Sequence, residues 1–213
     1  MQRLLPALLL LTHLAHAQVT FQDISAQAGI DNTGRNTGVA IADYDKDGDD
    51  DVYVSQRQGT NLLYRNNGDN TFTNVAEQAG VAHTGTTTVS TWGDIDNDGF
   101  PDLFLGNRNE PNVLFHNQGD GTFRDISRAA GVSFTAFTKA VLYGDVDRDG
   151  FVDIYVANVN QSNQLFRNNG NRTFLDIVHF AGANDTKIAM GSMFLDYDGD
   201  GDTSEGIYYE LMG

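Results

Sequence analysis

The chain has 213 residues, 29 acidic against 13 basic side chains, a net charge of -16 and no cysteine. That balance argues against a nucleic-acid binder, which needs basic patches to meet phosphates, and the missing thiols exclude disulfide frameworks, thiolate metal sites and cysteine nucleophiles. Eighteen of the acidic residues are aspartates gathered in four clusters, so the acidity is local, and charge this concentrated invites a cation.

Residues 1–17, "MQRLLPALLLLTHLAHA", join Arg3 to a leucine-rich run too short to span a bilayer and end on Ala15-x-Ala17, the pattern of a cleaved secretory signal. No other stretch reaches the ~18–20 apolar residues of a membrane-spanning helix. The sequence therefore predicts an exported product with no membrane span, extracellular or, from a bacterial source, periplasmic or cell-surface. The next segment, "VTFQDIS", reads as an isolated strand whose counterparts recur further along.

From there the chain repeats. Asp43, Asp94, Asp145 and Asp196 are each 51 residues apart, and so are Phe21, Phe72, Phe123 and Phe174, and Gly29, Gly80, Gly131 and Gly182. A fixed period of this length marks units that stack to bury a common core. Within the first unit "TGVAIADYD", "DVYVSQ", "NLLYRNN" and "TFTNVA" are short, β-rich and bounded by Gly, Asn or Asp, which predicts four antiparallel strands. The turn before the last strand reads "NNGDNT", "NQGDGT" and "NNGNRT" in successive units, with Gly68, Gly119 and Gly170 supplying positive φ. The segments "AEQAGV", "SRAAGV" and "VHFAGA" are the least strand-like and are expected to form short helical turns toward the next unit.

A four-stranded unit of this length fits a β-propeller blade, which cannot bury its faces alone. The expected fold is all-β, a propeller of ~51-residue four-stranded blades, with full blades at about 37–78, 88–129 and 139–180 and a partial one at 188–213. Ile41, Trp92, Tyr143 and Phe194, with Tyr64, Phe115 and Phe166, are expected as core positions between blades. After Asp202 the repeat gives way to "TSEGIYYELMG". This predicts an incomplete propeller whose open blade faces favour self-association. The competing expectation is a closed four-bladed ring, with residues 19–25 supplying an outer strand.

Numbered from its first aspartate, each acidic cluster carries carboxylates at positions 1, 3 and 5 and glycine at 6, namely Gly48, Gly99, Gly150 and Gly201. Three of the four add a carboxylate at 9. Alternate spacing aims three side chains at one centre, the glycine lets the chain turn so that the position 7 carbonyl can join, and position 9 closes the shell. Such an all-oxygen, highly charged set suits Ca²⁺, which takes about 6–8 oxygen ligands, better than Mg²⁺, which keeps several waters. An EF-hand is excluded because position 12 is Val54, Leu105, Val156 or Ile207 rather than glutamate, and lies in predicted strands.

The runs "GVAIADYDKDGDDDVYV" and "NLLYRNNGDNTFTNVAEQAGV", repeated as "DIDNDGFPDLFL" with "NVLFHNQGDGTFRDISRAAGV" and "DVDRDGFVDIYV" with "NQLFRNNGNRTF", resemble the FG-GAP or VCBS repeats of integrin α-type β-propellers, and within these the cartilage acidic protein-like group. The resemblance covers about residues 19–202. It implies that each acidic loop joins the first two strands of a blade and holds one Ca²⁺. The implied ligands are Asp43, Asp45, Asp47 and Asp51 with the carbonyl of Asp49; Asp94, Asp96, Asp98 and Asp102 with that of Phe100; and Asp145, Asp147, Asp149 and Asp153 with that of Phe151. The fourth loop offers Asp196, Asp198, Asp200 and Asp202, but Ser204 replaces the aspartate at position 9.

No catalytic set stands out. There is no HExxH or GxSxG motif, and His83, His116 and His179 share no place in the repeat, so each is expected as an exposed strand or loop residue. The sequence therefore points to a noncatalytic calcium-stabilised scaffold for adhesion or for binding an extracellular protein or glycan. The alternative is a propeller fragment of a polysaccharide-degrading enzyme. Asn160, Asn171 and Asn184 begin N-x-S/T sequons, which matter only in a glycosylating host.

Overall fold

The computed structural model describes residues 20–184, residue 186 and the strands at 189–194 and 207–211. The signal-like segment 1–17 and the fourth acidic loop, with Asp196, Asp198, Asp200 and Asp202, lie outside the described residues.

Each described repeat folds into four antiparallel strands, as the alternation of β-branched and aromatic residues between turn residues dictates. The first blade comprises β1 (Asn36–Ala42), β2 (Asp51–Gln56), β3 (Leu62–Asn66) and β4 (Phe72–Asn74) in that spatial order. The second comprises β5 (Thr87–Gly93), β6 (Asp102–Pro111), β7 (Val113–Asn117) and β8 (Phe123–Asp125), and the third β9 (Thr135–Gly144), β10 (Asp153–Asn158), β11 (Gln164–Asn168) and β12 (Phe174–Asp176). A further hairpin, β13 (Ala189–Phe194) with β14 (Ile207–Leu211), lies against the third blade. All three described acidic loops join the first strand of a blade to its second.

Single-turn helices α1 (Ser25–Ala28), α2 (Ala76–Ala79) and α3 (Ser127–Ala130) precede Gly29, Gly80 and Gly131. Each of these glycines is left-handed, with φ of 78°, 79° and 82°. The next N–H then bonds back into the turn, as from Val81 to the Ala76 carbonyl at 2.9 Å. At 178–182 the corresponding segment is a turn without a helix.

The core lies between blades, because alternate residues of each second strand face opposite neighbours. Tyr53 and Leu63 of the first blade pack with Leu103, Leu105 and Phe115 of the second. Phe104 and Leu114, on the other face of the second blade, pack with Ile154, Val156 and Phe166 of the third. Trp92 stacks edge-on against Tyr53 at 6.1 Å, and Tyr143 belongs to the next such layer. Tyr143 also fixes Gly93, since a Cβ there would sit 2.6 Å from its ring.

Two expectations fail, for one reason. Residues 20–24 form no strand, and Phe21 is 96 % exposed, because no third strand is described beside them to pair with. Ile41, the counterpart of Trp92 and Tyr143, is 61 % exposed rather than buried, and Val39 is 60 % exposed, because no blade among the described residues covers this face. Tyr64, Phe115 and Phe166 are buried as expected. Phe194 lies in β13, where only the backbone is described.

The sequence also gave no warning of a link between the second and third sheets. The long strand β6 runs on to pair with the start of β9 at Arg108, Glu110 and Pro111, so their eight strands form one hydrogen-bonded sheet. Next to the acidic loops, Asn117, the last residue of β7, donates from its side chain to the Tyr44 carbonyl of the first blade at 2.9 Å and to the Pro101 carbonyl at 3.2 Å. Its side-chain oxygen accepts the Gly119 N–H at 3.0 Å. Asn168 repeats the arrangement on the Ile95 and Val152 carbonyls, whereas Asn66 reaches only the Asp50 carbonyl of its own blade.

We expect Asn117→Ala to lower the unfolding free energy by about 1–3 kcal/mol, because it strips buried carbonyls and an N–H of their partner. Asn66→Ala, with no bond across blades to lose, costs less. Urea unfolding of the two variants checks this, and equal midpoints would show that the cross-blade bond adds nothing.

Candidate metal centres

Each loop is bent by its own backbone before any side chain is considered. Lys46, Asn97 and Arg148 at position 4 adopt φ of 61°, 58° and 61°, and Gly48, Gly99 and Gly150 at position 6 adopt 98°, 88° and 91°. Two left-handed residues around position 5 coil the chain tightly enough for its N–H groups to turn inward onto the carboxylates. Asp43, Asp94 and Asp145 accept the position 6 N–H at 3.1, 2.9 and 2.9 Å. Asp47, Asp98 and Asp149 at position 5 accept the position 7 N–H at 3.0, 2.9 and 2.9 Å. The position 7 side chain rests on the turn between the third and fourth strands, so that a Cβ on Gly119 would lie 3.2 Å from the Phe100 ring and one on Gly170 3.0 Å from that of Phe151.

Position 9 opens the second strand and is fully buried at Asp51, Asp102 and Asp153. Its two oxygens point opposite ways. Asp51 accepts the Tyr44 N–H at 3.2 Å and the Asn66 N–H at 2.8 Å; Asp102 accepts those of Ile95 and Asn117 at 3.0 and 2.8 Å. Asp153 does the same with Val146 and Asn168 at 2.9 and 2.7 Å. This clamp between loop and third strand was invisible to spacing rules, although the recurring Asn before the turn glycine marks its far end.

The result is three clusters of the same composition. Asp43, Asp45 and Asp51 bring carboxylate oxygens within 4.8 Å of one another, as do Asp94, Asp96 and Asp102, and Asp145, Asp147 and Asp153. Positions 1, 3 and 9 thus converge, while position 5 stands outside each trio, and Asp98 instead groups with Asp96 and His116. Like charges this close repel by roughly 3–4 kcal/mol per pair at the effective dielectric of a protein surface. Burial pushes the Asp51 carboxyl up to about 6, against the lowering effect of its two N–H donors, with Asp45 and Asp47 adding to the rise. Burial likewise raises Asp45, Asp102 and Asp153.

A cation fits this donor set. Asp43 Oδ1, Asp45 Oδ1 and Asp96 Oδ1 are buried with no hydrogen-bond partner, in loops that satisfy their other oxygens carefully. Orphaned acceptors at the centre of an acidic trio are what a hard, oxygen-seeking dication satisfies.

The histidines depart from expectation. His116, at the repeat position of Arg65 and Arg167, is buried near the end of β7, because its ring meets the loop carboxylate, with Nε2 3.0 Å from Asp96 Oδ2. His83 is half-buried, 3.3 Å from Asn107 Nδ2, and burial lowers its pKa. His179 is exposed as expected.

Comparison with known proteins agrees with the repeat. The profile of the FG-GAP-like repeat matches residues 43–105, 94–156 and 145–203. Human cartilage acidic protein 1 is 27 % identical over 201 residues, 88 % of this chain and 30 % of that protein. The mouse protein of the same name is 43 % identical over 94 residues, covering 43 % of this chain and 14 % of its own length. This chain therefore spans less than a third of these curated relatives. Among solved structures, that of BBS1N in complex with ARL6DN, from a crystal soaked with lead, superposes with a TM-score of 0.54 over 85 % of this chain and 53 % of that one, at 8 % identity, which speaks to fold alone.

The orphaned oxygen of Asp45 generates a test whose sign reverses. In EDTA, Asp45→Asn removes a repelling charge and should raise the melting temperature by about 2–4 °C for each ~1 kcal/mol relieved. In millimolar calcium the same change removes a ligand and should lower it. Shifts of one sign in both buffers would contradict the cation centre.

Proposed function

This chain belongs to the FG-GAP-like repeat family, and we propose that it is a secreted propeller module, stapled by calcium at its acidic loops, that binds an extracellular protein or glycan without catalysing a reaction on it. The observation that carries the reading is the carboxylate trio that recurs every 51 residues, with buried, partnerless oxygens in the first two. Calcium supplies the dipositive charge that lets these carboxylates stay ionised together. Asp43, Asp45 and Asp51 hold it in the first loop, Asp94, Asp96 and Asp102 in the second, and Asp145, Asp147 and Asp153 in the third. Asp47, Asp98 and Asp149, with the carbonyls of Asp49, Phe100 and Phe151, complete the shells. The fourth loop, with Asp196, Asp198, Asp200 and Asp202, lies outside the described residues and lacks a position 9 carboxylate, so three sites are proposed.

Secretion is supported by the signal-like segment, and no helix among the described residues is long and apolar enough to cross a membrane. A noncatalytic role is supported by how the carboxylates are held: positions 1, 5 and 9 accept backbone N–H groups of their own loop and blade, an arrangement that builds loops rather than a general acid and base. The loops stand at the same place in every described blade, beside the turn between the third and fourth strands. That repeated rim is a rigid surface for a partner.

Calcium sites in extracellular modules can be as weak as ~10⁻⁴–10⁻³ M, so the test uses millimolar calcium. At 1 mM calcium a site with Kd of ~10⁻⁴ M contributes about 1.4 kcal/mol, and the contributions of the sites add. The melting temperature should rise strongly in calcium relative to EDTA, and superimposable curves would contradict the staple. On an extracellular glycan and protein panel in calcium, the module should retain a partner and release no product. Product release would contradict the noncatalytic role.

A further inference from the structure

The second loop differs from its neighbours in chemistry. His116 stands where the other blades have Arg65 and Arg167, and its ring is buried with Nε2 3.0 Å from Asp96 Oδ2. Asp96, Asp98 and His116 each offer a ligand atom, and these atoms lie within 4.8 Å of one another. We propose that they form a second cation position that adjoins the all-oxygen trio and shares Asp96 and Asp98 with its shell, one that takes a transition-metal dication such as Zn²⁺ or Co²⁺ through the imidazole nitrogen.

Donor chemistry carries the assignment. Calcium takes oxygen ligands, whereas a neutral imidazole with two carboxylates suits Zn²⁺ and Co²⁺. Asp96 can bridge the two positions, because its partnerless Oδ1 serves the trio while Oδ2 faces the imidazole, 3.0 Å from Nε2. The ring is already steered: the Gln118 amide lies 2.7 Å from His116 Nδ1. Turning that amide so that Oε1 faces the ring makes Nδ1 the hydrogen donor and leaves a lone pair on Nε2, an exchange of tautomer with no net proton change. A partner of this kind behind a ligating histidine fixes its orientation, and such partners are worth 10–100-fold in affinity.

The next blade holds a competitor. Arg172, in the turn between β11 and β12, places Nε 3.2 Å from Asp96 Oδ2 and Nη1 3.5 Å from His116 Nε2. It is 54 % exposed, so it can give way to a metal by swinging into solvent. The corresponding residue beside the first loop is Gly121, so this cross-blade cation belongs to the second loop in particular.

The test is titration with Co²⁺ and Zn²⁺ by calorimetry and visible absorption, in buffer already containing millimolar calcium. The wild-type protein should take up one Co²⁺ or Zn²⁺ at this position with a Co²⁺ absorption band. His116→Arg, which installs the residue the protein uses in its other blades, should weaken that uptake at least about tenfold and abolish the band, and Arg172→Ala should strengthen it. Should His116→Arg not fold, His116→Gln takes its place with the same expectation. Uptake that is unchanged without the imidazole, or no uptake by the wild type, would overturn the proposal. The readout depends on nitrogen ligation and not on any effect of calcium, so it stands or falls separately from the calcium staple.

Discussion

In each described blade a buried carboxylate, that of Asp51, Asp102 or Asp153, accepts one N–H from the second residue of the acidic loop and another from the last residue of the third strand. The bond ties together segments about fifteen residues apart and fixes where the loop stands over the sheet. Fully burying an ionised carboxylate is costly unless it is hydrogen-bonded and its charge is met. Two N–H donors satisfy its geometry but supply no full charge, and two more carboxylates sit within 4.8 Å. The fold therefore builds a concentration of negative charge into this junction, and the proposed dication would make it favourable.

From this junction order passes to the neighbouring blade. The residue whose N–H meets the carboxylate in the second blade, Asn117, is the one whose side chain reaches the Tyr44 carbonyl in the first loop, and Asn168 does the same to Ile95. The clamped loop thus presents a fixed carbonyl to the next blade. A second series on the other side of the sheets works the same way: Asn61 and Asn112 bond forward to Thr87 and Thr138 at 2.8 and 2.9 Å. In the third blade Asn163 turns instead to the Tyr155 hydroxyl at 2.8 Å, since the position 51 residues after Thr138 is Ala189, which has no hydroxyl to offer. With no disulfide, the chain joins its blades through these polar bonds and the aromatic layers between them.

Much of this was legible in the sequence because the repeat forces it. The 51-residue step, the glycines at position 6 and before the fourth strand, and the alternation in "DVYVSQ" fixed the blades and the placement of each loop between first and second strands. What escaped depended on neighbours in space. Residues 20–24 of the expected strand have the right residues but no described strand to pair with, so they form none, and Ile41 has the right apolar character but no described blade over it. The burial of His116 could not be read from its place beside two arginines, because it is the loop carboxylate across the sheet that draws the ring in. The cross-blade bonds of Asn117 and Asn168 span 73 residues. Their only trace was an asparagine recurring before the turn glycine.

The claim on which this account rests is that a cation sits at the meeting point of positions 1, 3 and 9 in each loop. An anomalous difference map from crystals of the mature protein grown in calcium tests it most directly. The account predicts one peak between Asp43, Asp45 and Asp51, one between Asp94, Asp96 and Asp102, and one between Asp145, Asp147 and Asp153, each at about 2.3–2.6 Å from its oxygens. Ordered loops with no peak at these three points would contradict it.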